Sequence, residues 1–155
     1  KGHLEISKQA KKIFGLQKII WAITKKNPFK KKSYMTLKER IIYARIINKN
    51  NPRIKVNYYE DKIKSSRTIN LINYIKKNNK NSQLFFLMGA DNLINFHKWH
   101  KWRNILTKTK LIVFDRHGYK KKSLNSKTYK RLGEKRVFFI KFNKVKISSS
   151  QLKKI

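Results

Sequence analysis

The stretch Leu84–Leu106, LFFLMGADNLINFHKWHKWRNIL, decides how this chain is read. Its first five residues, Leu84 to Met88, are apolar without a break, which is the pattern of a parallel strand covered on both faces. Gly89 follows, where the missing Cβ lets backbone approach a ligand. Asp91 then supplies an acceptor suited to ribose hydroxyls or to an adenine amino group. Open α/β sheets bind ligands beyond the carboxyl ends of their strands, so strand, glycine and acid in succession predict a nucleotide-sized site there.

Outward from this stretch, strand-like runs alternate with helical patterns, the signature of βαβ units and a parallel sheet. Strands are expected at Ile19–Ile23, Ile54–Tyr58, Leu84–Met88, Leu111–Phe114 and Val137–Phe142. A first helix is expected over Leu4–Phe14 with Ile6, Ala10 and Ile13 on one face, and others over Thr36–Ile47, Thr68–Lys77, Trp99–Leu106 and Leu124–Leu132. Thr36 and Glu39 have capping-box spacing. Gly15, Pro52 and the Lys76–Asn81 cluster fall in connections.

The 155 residues are enough for one domain with a real core and short for two, so a single α/β domain over 1–155 is expected. There is no cysteine, which excludes disulfides and thiolate metal sites and fits a cytoplasmic protein. No apolar run approaches the roughly 20 residues of a membrane helix. The net charge of +34 would ordinarily suggest nucleic acid. Only eight of the 41 basic residues are Arg, however, and the lysines spread through nearly every segment. The charge is therefore read as a solvated basic surface with weak nonspecific affinity for nucleic acid and no specific one.

Four polar segments follow strands: Thr24–Lys30, Gly89–Asp91, Arg116–Gly118 and Ser148–Ser150. All fall at carboxyl ends and so on one rim, which favours a single nucleotide-sized site over four unrelated loops. His97 and His100 have i, i+3 spacing, but no third ligand is close in sequence, and no metal site is assigned.

These residues carry a resemblance to the nicotinate-nucleotide adenylyltransferases, members of the nucleotidyltransferase superfamily marked by an H-x-G-H motif. Lys1-Gly2-His3 matches the last three positions of that motif, WAITKKNPFK (Trp21–Lys30) a strand with a Pro-containing basic loop, and MGADNLINFHKW (Met88–Trp99) the G-x-D and downstream Trp. FDRHGY (Phe114–Tyr119) is similar to the Arg-Pro-Gly segment and ISSSQLKK (Ile147–Lys154) to I-S-S-T-x-x-R. The segments run in the family's order over nearly the whole chain.

The resemblance implies a Rossmann-like parallel sheet with helices on both faces, and adenylyl transfer from ATP to nicotinate mononucleotide in NAD biosynthesis, with magnesium carried on the ATP phosphates. It implies His3, Lys30 and Lys153 as catalytic residues. Gly2, His3, Gly89, Asp91, Arg116, Ser148, Ser149 and Ser150 would bind ATP, and Thr68 and Trp99 nicotinate mononucleotide. Each has a plain alternative: Asp91, Thr68 and the serines as helix-start residues, Lys30 and Arg116 as surface charges, His3 as an exposed residue. Trp102 is expected on the core face of the same helix as Trp99.

The chain also departs from the family. Members begin with a strand and a Gly-rich turn before the first His of H-x-G-H, whereas this sequence starts inside the motif. The first strand is therefore expected to be missing, leaving two exposed strand edges and half a phosphate cradle, and the chain alone is expected to be inactive and poorly soluble. Arg67 stands where an aromatic is usual, His117 for Pro, Phe29 for His or Leu, and Lys153 for Arg. Another adenylyltransferase, using nicotinamide mononucleotide or phosphopantetheine, and a noncatalytic basic RNA-binding protein are the alternatives.

Overall fold

The structure is a computed structural model that describes residues 2–25, 35–115 and 118–141. Along the chain run α1 (Gly2–Phe14), β1 (Ile19–Ile23), α2 (Leu37–Ile47), β2 (Ile54–Tyr58), α3 (Glu60–Ile63), α4 (Thr68–Lys77) and β3 (Leu84–Gly89). They are followed by α5 (Ala90–Asn95), α6 (Trp102–Lys108), β4 (Thr109–Asp115), α7 (Lys120–Leu124), α8 (Lys127–Leu132) and β5 (Val137–Lys141). All strand pairs are parallel, as the alternating pattern predicts. They form a two-stranded sheet, β1-β2, and a three-stranded sheet, β3-β4-β5.

Side-chain alternation along β4 organises the core. Leu111 and Val113 point into a cluster with Ile69, Ile72, Leu93, Phe96, Trp102 and Ile105, built from α4, α5 and α6. Ile112 and Phe114, on the opposite face, meet Ala10 of α1 and Ile140 of β5. Helices thus cover both faces of this sheet. The four consecutive residues Leu111–Phe114 are all at most 1% exposed, so β4 is the strand covered on both faces. The sequence assigns that role to β3, but only Met88 of β3 is buried. The difference is positional, since among the described residues β3 pairs with β4 alone and its other edge borders a cleft.

Local signals set several boundaries. The Thr36 hydroxyl accepts from the Glu39 amide at 3.2 Å and the Glu39 carboxylate from the Thr36 amide at 2.7 Å, completing the expected capping box. Gly15 takes the positive φ of 60° that ends α1.

Three helical readings need correction. Ile13 is 58% exposed and leaves the buried face of α1 to Ser7 and Ala10, because the helix lies on the sheet through Ile6, Ala10 and Phe14 instead. Trp99–Leu106 is not one helix: a 3-10 turn at Phe96–Lys98 ends at Trp99 in extended backbone, and α6 starts at Trp102. Leu124–Leu132 is broken at Ser126, whose side chain caps α8 by accepting from the Tyr129 amide.

Candidate functional site

A cleft of about 1160 Å³ runs between β1 and β3 and is lined by every residue of both strands. α1 contributes His3, Ile6, Ser7 and Phe14 to its wall, and α4 contributes Leu71, Ile72 and Ile75. Neither strand has a ladder partner on the cleft side among the described residues, so both present open main-chain groups there. At the carboxyl ends of the two strands the cleft meets Thr24, Arg40, Gly89 and Asn92.

His3 sits in the first turn of α1, exposed, with its ring 6.1 Å from that of Trp21 in edge-on contact. The Trp21 indole N–H donates to Ser7 Oγ at 2.9 Å, and Ser7 is buried. This bond ties α1 to β1 and fixes where the helix N-terminus, with its positive dipole end, meets the cleft. An added Cβ at Gly2 would meet nothing, so Gly2 is under no packing constraint here.

Gly89 is different. The Asp91 carboxylate folds back over the glycine, so that a Cβ there would run into Oδ1 and the Asp91 side chain would have to move aside. Gly89 is also the N-cap of α5 without a side-chain bond, which places half-buried Asp91 in the first turn rather than at the cap. The cap alternative for Asp91 is thereby replaced by Gly89. Gly89 and His3 share the cleft; Gly2, Asp91, Thr68 and Trp99 are not part of its lining.

At the end of β1 the polar contacts converge on two residues. Arg40 of α2 donates from Nη1 to the Thr24 carbonyl and from Nη2 to the Lys25 carbonyl, both at 2.8 Å. The Lys25 amide donates to Glu60 Oε2 at 3.0 Å, and Lys25 Nζ meets Asp61 Oδ1 at 2.6 Å, which also accepts from Tyr58 Oη at 2.9 Å. The hydrogen bond with Asp61 raises the Lys25 pKa above its ordinary value, and the same bond holds the Asp61 carboxyl below its own. Sequence reading missed Arg40, Glu60 and Asp61. The available signal was the adjacent acid pair, two of only seven carboxylates, directly after β2.

Thr68 and Trp99 lie toward another part of the structure, and one contact joins their neighbourhoods. Thr68 opens α4 just after Arg67, and Arg67 Nη1 lies 3.2 Å from His100 Nε2 in the turn after Trp99. Burial and then the Arg67 and Lys101 charges lower the His100 pKa. Trp99 packs edge-on against Phe86 and Phe96, at 6.0 and 5.2 Å, and Trp102 also meets Phe96, so both tryptophans serve the core although they share no helix. His97 is held separately, its Nδ1 3.0 Å from Thr128 Oγ1. The two histidines therefore serve different partners.

Lys30, Arg116, His117, Ser148, Ser149, Ser150 and Lys153 lie outside the described residues, as does Phe29. Among the described residues no group of three or more His, Asp or Glu converges to hold a metal ion, and no helix is long and apolar enough to cross a membrane.

A family model described as cytidylyltransferase-like matches residues 1–155. The chain is 62% identical over 156 residues to a protein of Pelagibacter ubique (strain HTCC1062) named as a probable nicotinate-nucleotide adenylyltransferase, covering all of this chain and 86% of that one. It is 36% identical over 118 residues to a Rhizobium meliloti (strain 1021) protein of the same name, covering 76% of this chain and 62% of that one. In fold it is similar to Plasmodium falciparum nicotinic acid mononucleotide adenylyltransferase solved in complex with NaAD, with a TM-score of 0.65, 18% identity, and coverage of 97% of this chain and 76% of that one. The chain belongs to the cytidylyltransferase-like family, among its nicotinate-nucleotide adenylyltransferases.

Proposed function

We propose that this protein transfers the adenylyl group of ATP to nicotinate mononucleotide, forming deamido-NAD and pyrophosphate. The observation that carries the reading is the 62% identity, over the full length of this chain, to the Pelagibacter protein. The carboxyl ends of β1 and β3 support it: two parallel strands end there beside Thr24, Arg40, Gly89 and Asn92, the place where open α/β sheets take nucleotides.

In this reaction a phosphate oxygen of the mononucleotide attacks the α-phosphorus of ATP, and the bond to the β-phosphate oxygen breaks as pyrophosphate leaves. No covalent enzyme intermediate is needed, so the protein supplies positioning and positive charge. His3, with the first-turn amides of α1, faces the transferring phosphate, and Gly2 lies beside it. Gly89 gives the adenosine room, and Asp91, folded over it, accepts from the nucleoside. Lys30, Arg116, Ser148, Ser149, Ser150 and Lys153 serve the ATP phosphates. Thr68 and Trp99 take the nicotinate portion, and Arg67 before Thr68 puts positive charge beside α4's N-terminus, which suits a carboxylate.

Magnesium enters as part of the substrate, bound to the ATP phosphates. The whole chain has only seven carboxylates, and no cluster of three ligands converges among the described residues, which suits a metal that arrives with the nucleotide. The protein acts as a single domain in the cytoplasm, without a specific nucleic-acid partner. Pyrophosphate release by the full-length protein with ATP and each of three acceptors tests the assignment. Nicotinate mononucleotide should be the preferred acceptor; equal or better turnover with nicotinamide mononucleotide or phosphopantetheine would overturn it.

A further inference from the structure

Carboxylates are scarce in this chain, seven against 41 basic residues, yet two adjacent ones are spent on a single lysine. All three polar groups of Lys25 are engaged: the amide by Glu60, the carbonyl by Arg40 and the ammonium by Asp61. Arg40 also holds the carbonyl of the preceding residue, Thr24, so one planar guanidinium grips two consecutive peptide units. Arg40 is half-buried and lines the cleft, as does Thr24. The three clamping side chains come from α2 and α3, and Lys25 is the last described residue before the segment that contains Lys30.

We propose that Arg40, Glu60 and Asp61 are positioning residues, a clamp that fixes Thr24 and Lys25 at the carboxyl end of β1, beside the end of the cleft where adenylyl transfer takes place. The proposal rests on the adenylyl-transfer reading. Its consequence for Lys25 is specific: the ammonium belongs to Asp61 and holds the end of β1 instead of binding phosphate.

An ordinary surface ion pair offers little, because two exposed charges in water gain almost nothing from meeting. The Lys25–Asp61 pair alone is of that kind, with both side chains more than half exposed. What distinguishes this arrangement is that three of the four bonds go to main chain, where they constrain direction rather than charge. An arginine fork is suited to two carbonyls at once, and a lysine in its place would reach only one. The clamp also persists across the neutral range. A lysine pKa raised by its partner keeps the pair intact until pH rises beyond 10.5, and a lowered aspartate pKa keeps it until pH falls below 3.8.

The test compares Arg40→Ala, Arg40→Lys, Glu60→Ala and Glu60→Gln by amide hydrogen exchange and by steady-state adenylyl transfer. Exchange at the Lys25 amide should rise about 10-fold or more in Glu60→Ala, and stay near wild type in Glu60→Gln, which keeps an acceptor oxygen. Arg40→Ala should cost about 10- to 100-fold in kcat with a smaller change in KM, and Arg40→Lys should recover only part of it. Unchanged exchange at Lys25 in Glu60→Ala would overturn the clamp. So would loss of protection throughout β4, which would make the residues merely structural. Absence of adenylyl transfer in the full-length wild type would instead defeat the functional reading, while the exchange data still judged the clamp.

Discussion

The two sheets of this protein are held by different physics. In β3-β4-β5, helices cover both faces and four consecutive residues of β4 are essentially inaccessible. In β1-β2 only the first residue of each strand, Ile19 and Ile54, is buried, and the polar contacts of Trp21, Arg40, Lys25 and Glu60 hold the rest. One half owes its stability to burial, which is roughly proportional to area and insensitive to direction. The other is fixed by hydrogen bonds that specify direction, and it borders the cleft. A site needs its groups aimed, and that side of the cleft is built accordingly.

The contrast is broken most severely by equal truncations in the two sheets. Ile112→Ala, in the buried face of β4, should cost about 4 kcal/mol in urea denaturation, whereas Ile20→Ala in half-buried β1 should cost about 1 kcal/mol. Equal losses would mean that the two halves are packed alike. Next in size is His3→Ala, which should lower adenylyl transfer about 100-fold while leaving the melting temperature within about 2 °C, since His3 is exposed. A large drop in melting temperature would make His3 structural. Ser7→Ala removes the acceptor of the Trp21 indole and should cost about 1 kcal/mol, with a blue-shifted or broadened tryptophan emission as its local readout.

The smallest effect concerns His100. Burial and the Arg67 charge lower its pKa in the fold, so the neutral ring is favoured and the unfolded chain binds the proton first. The associated stability is full above pH 6.5 and declines as pH falls from there through the lowered folded value. In an NMR titration the His100 ring should titrate below the ordinary histidine value. Arg67→Ala should move it part of the way back, because burial remains as the larger cause.

Much of the fold is legible in the sequence because the signals are local. The boundaries of β1 and β2 follow from runs of apolar and β-branched residues, and the start of α2 from Thr36 and Glu39. What escapes is set by packing. The apolar run Leu84–Met88 reads as the most buried strand, but burial depends on what lies on each edge, and it is β4 that has strands on both sides. The helix expected from Trp99 fails because a tryptophan on helical spacing also fits a turn when Phe86 and Phe96 offer it a packing site.

The site divides in the same way. Gly89 and Asp91 are readable from sequence because their relation spans two residues, and in the structure the Asp91 carboxylate folds over Gly89 where a Cβ would stand. Arg40 and Glu60 are not readable, since their partners lie 15, 16 and 35 residues away and depend on β1 and β2 ending side by side. Positions close in sequence disclose their chemistry in a motif, whereas groups joined through parallel strands disclose it only once the register is known.

ATP is expected to bind at the carboxyl ends of β1 and β3, where Thr24, Arg40, Gly89 and Asn92 meet. Amide hydrogen exchange with and without ATP and magnesium tests that directly. Protection should appear at Gly89–Asn92, at Thr24 and Lys25 and in the first turn of α1, with β5 unchanged. Protection confined to β5 and α8, or none at saturating ATP, would contradict it.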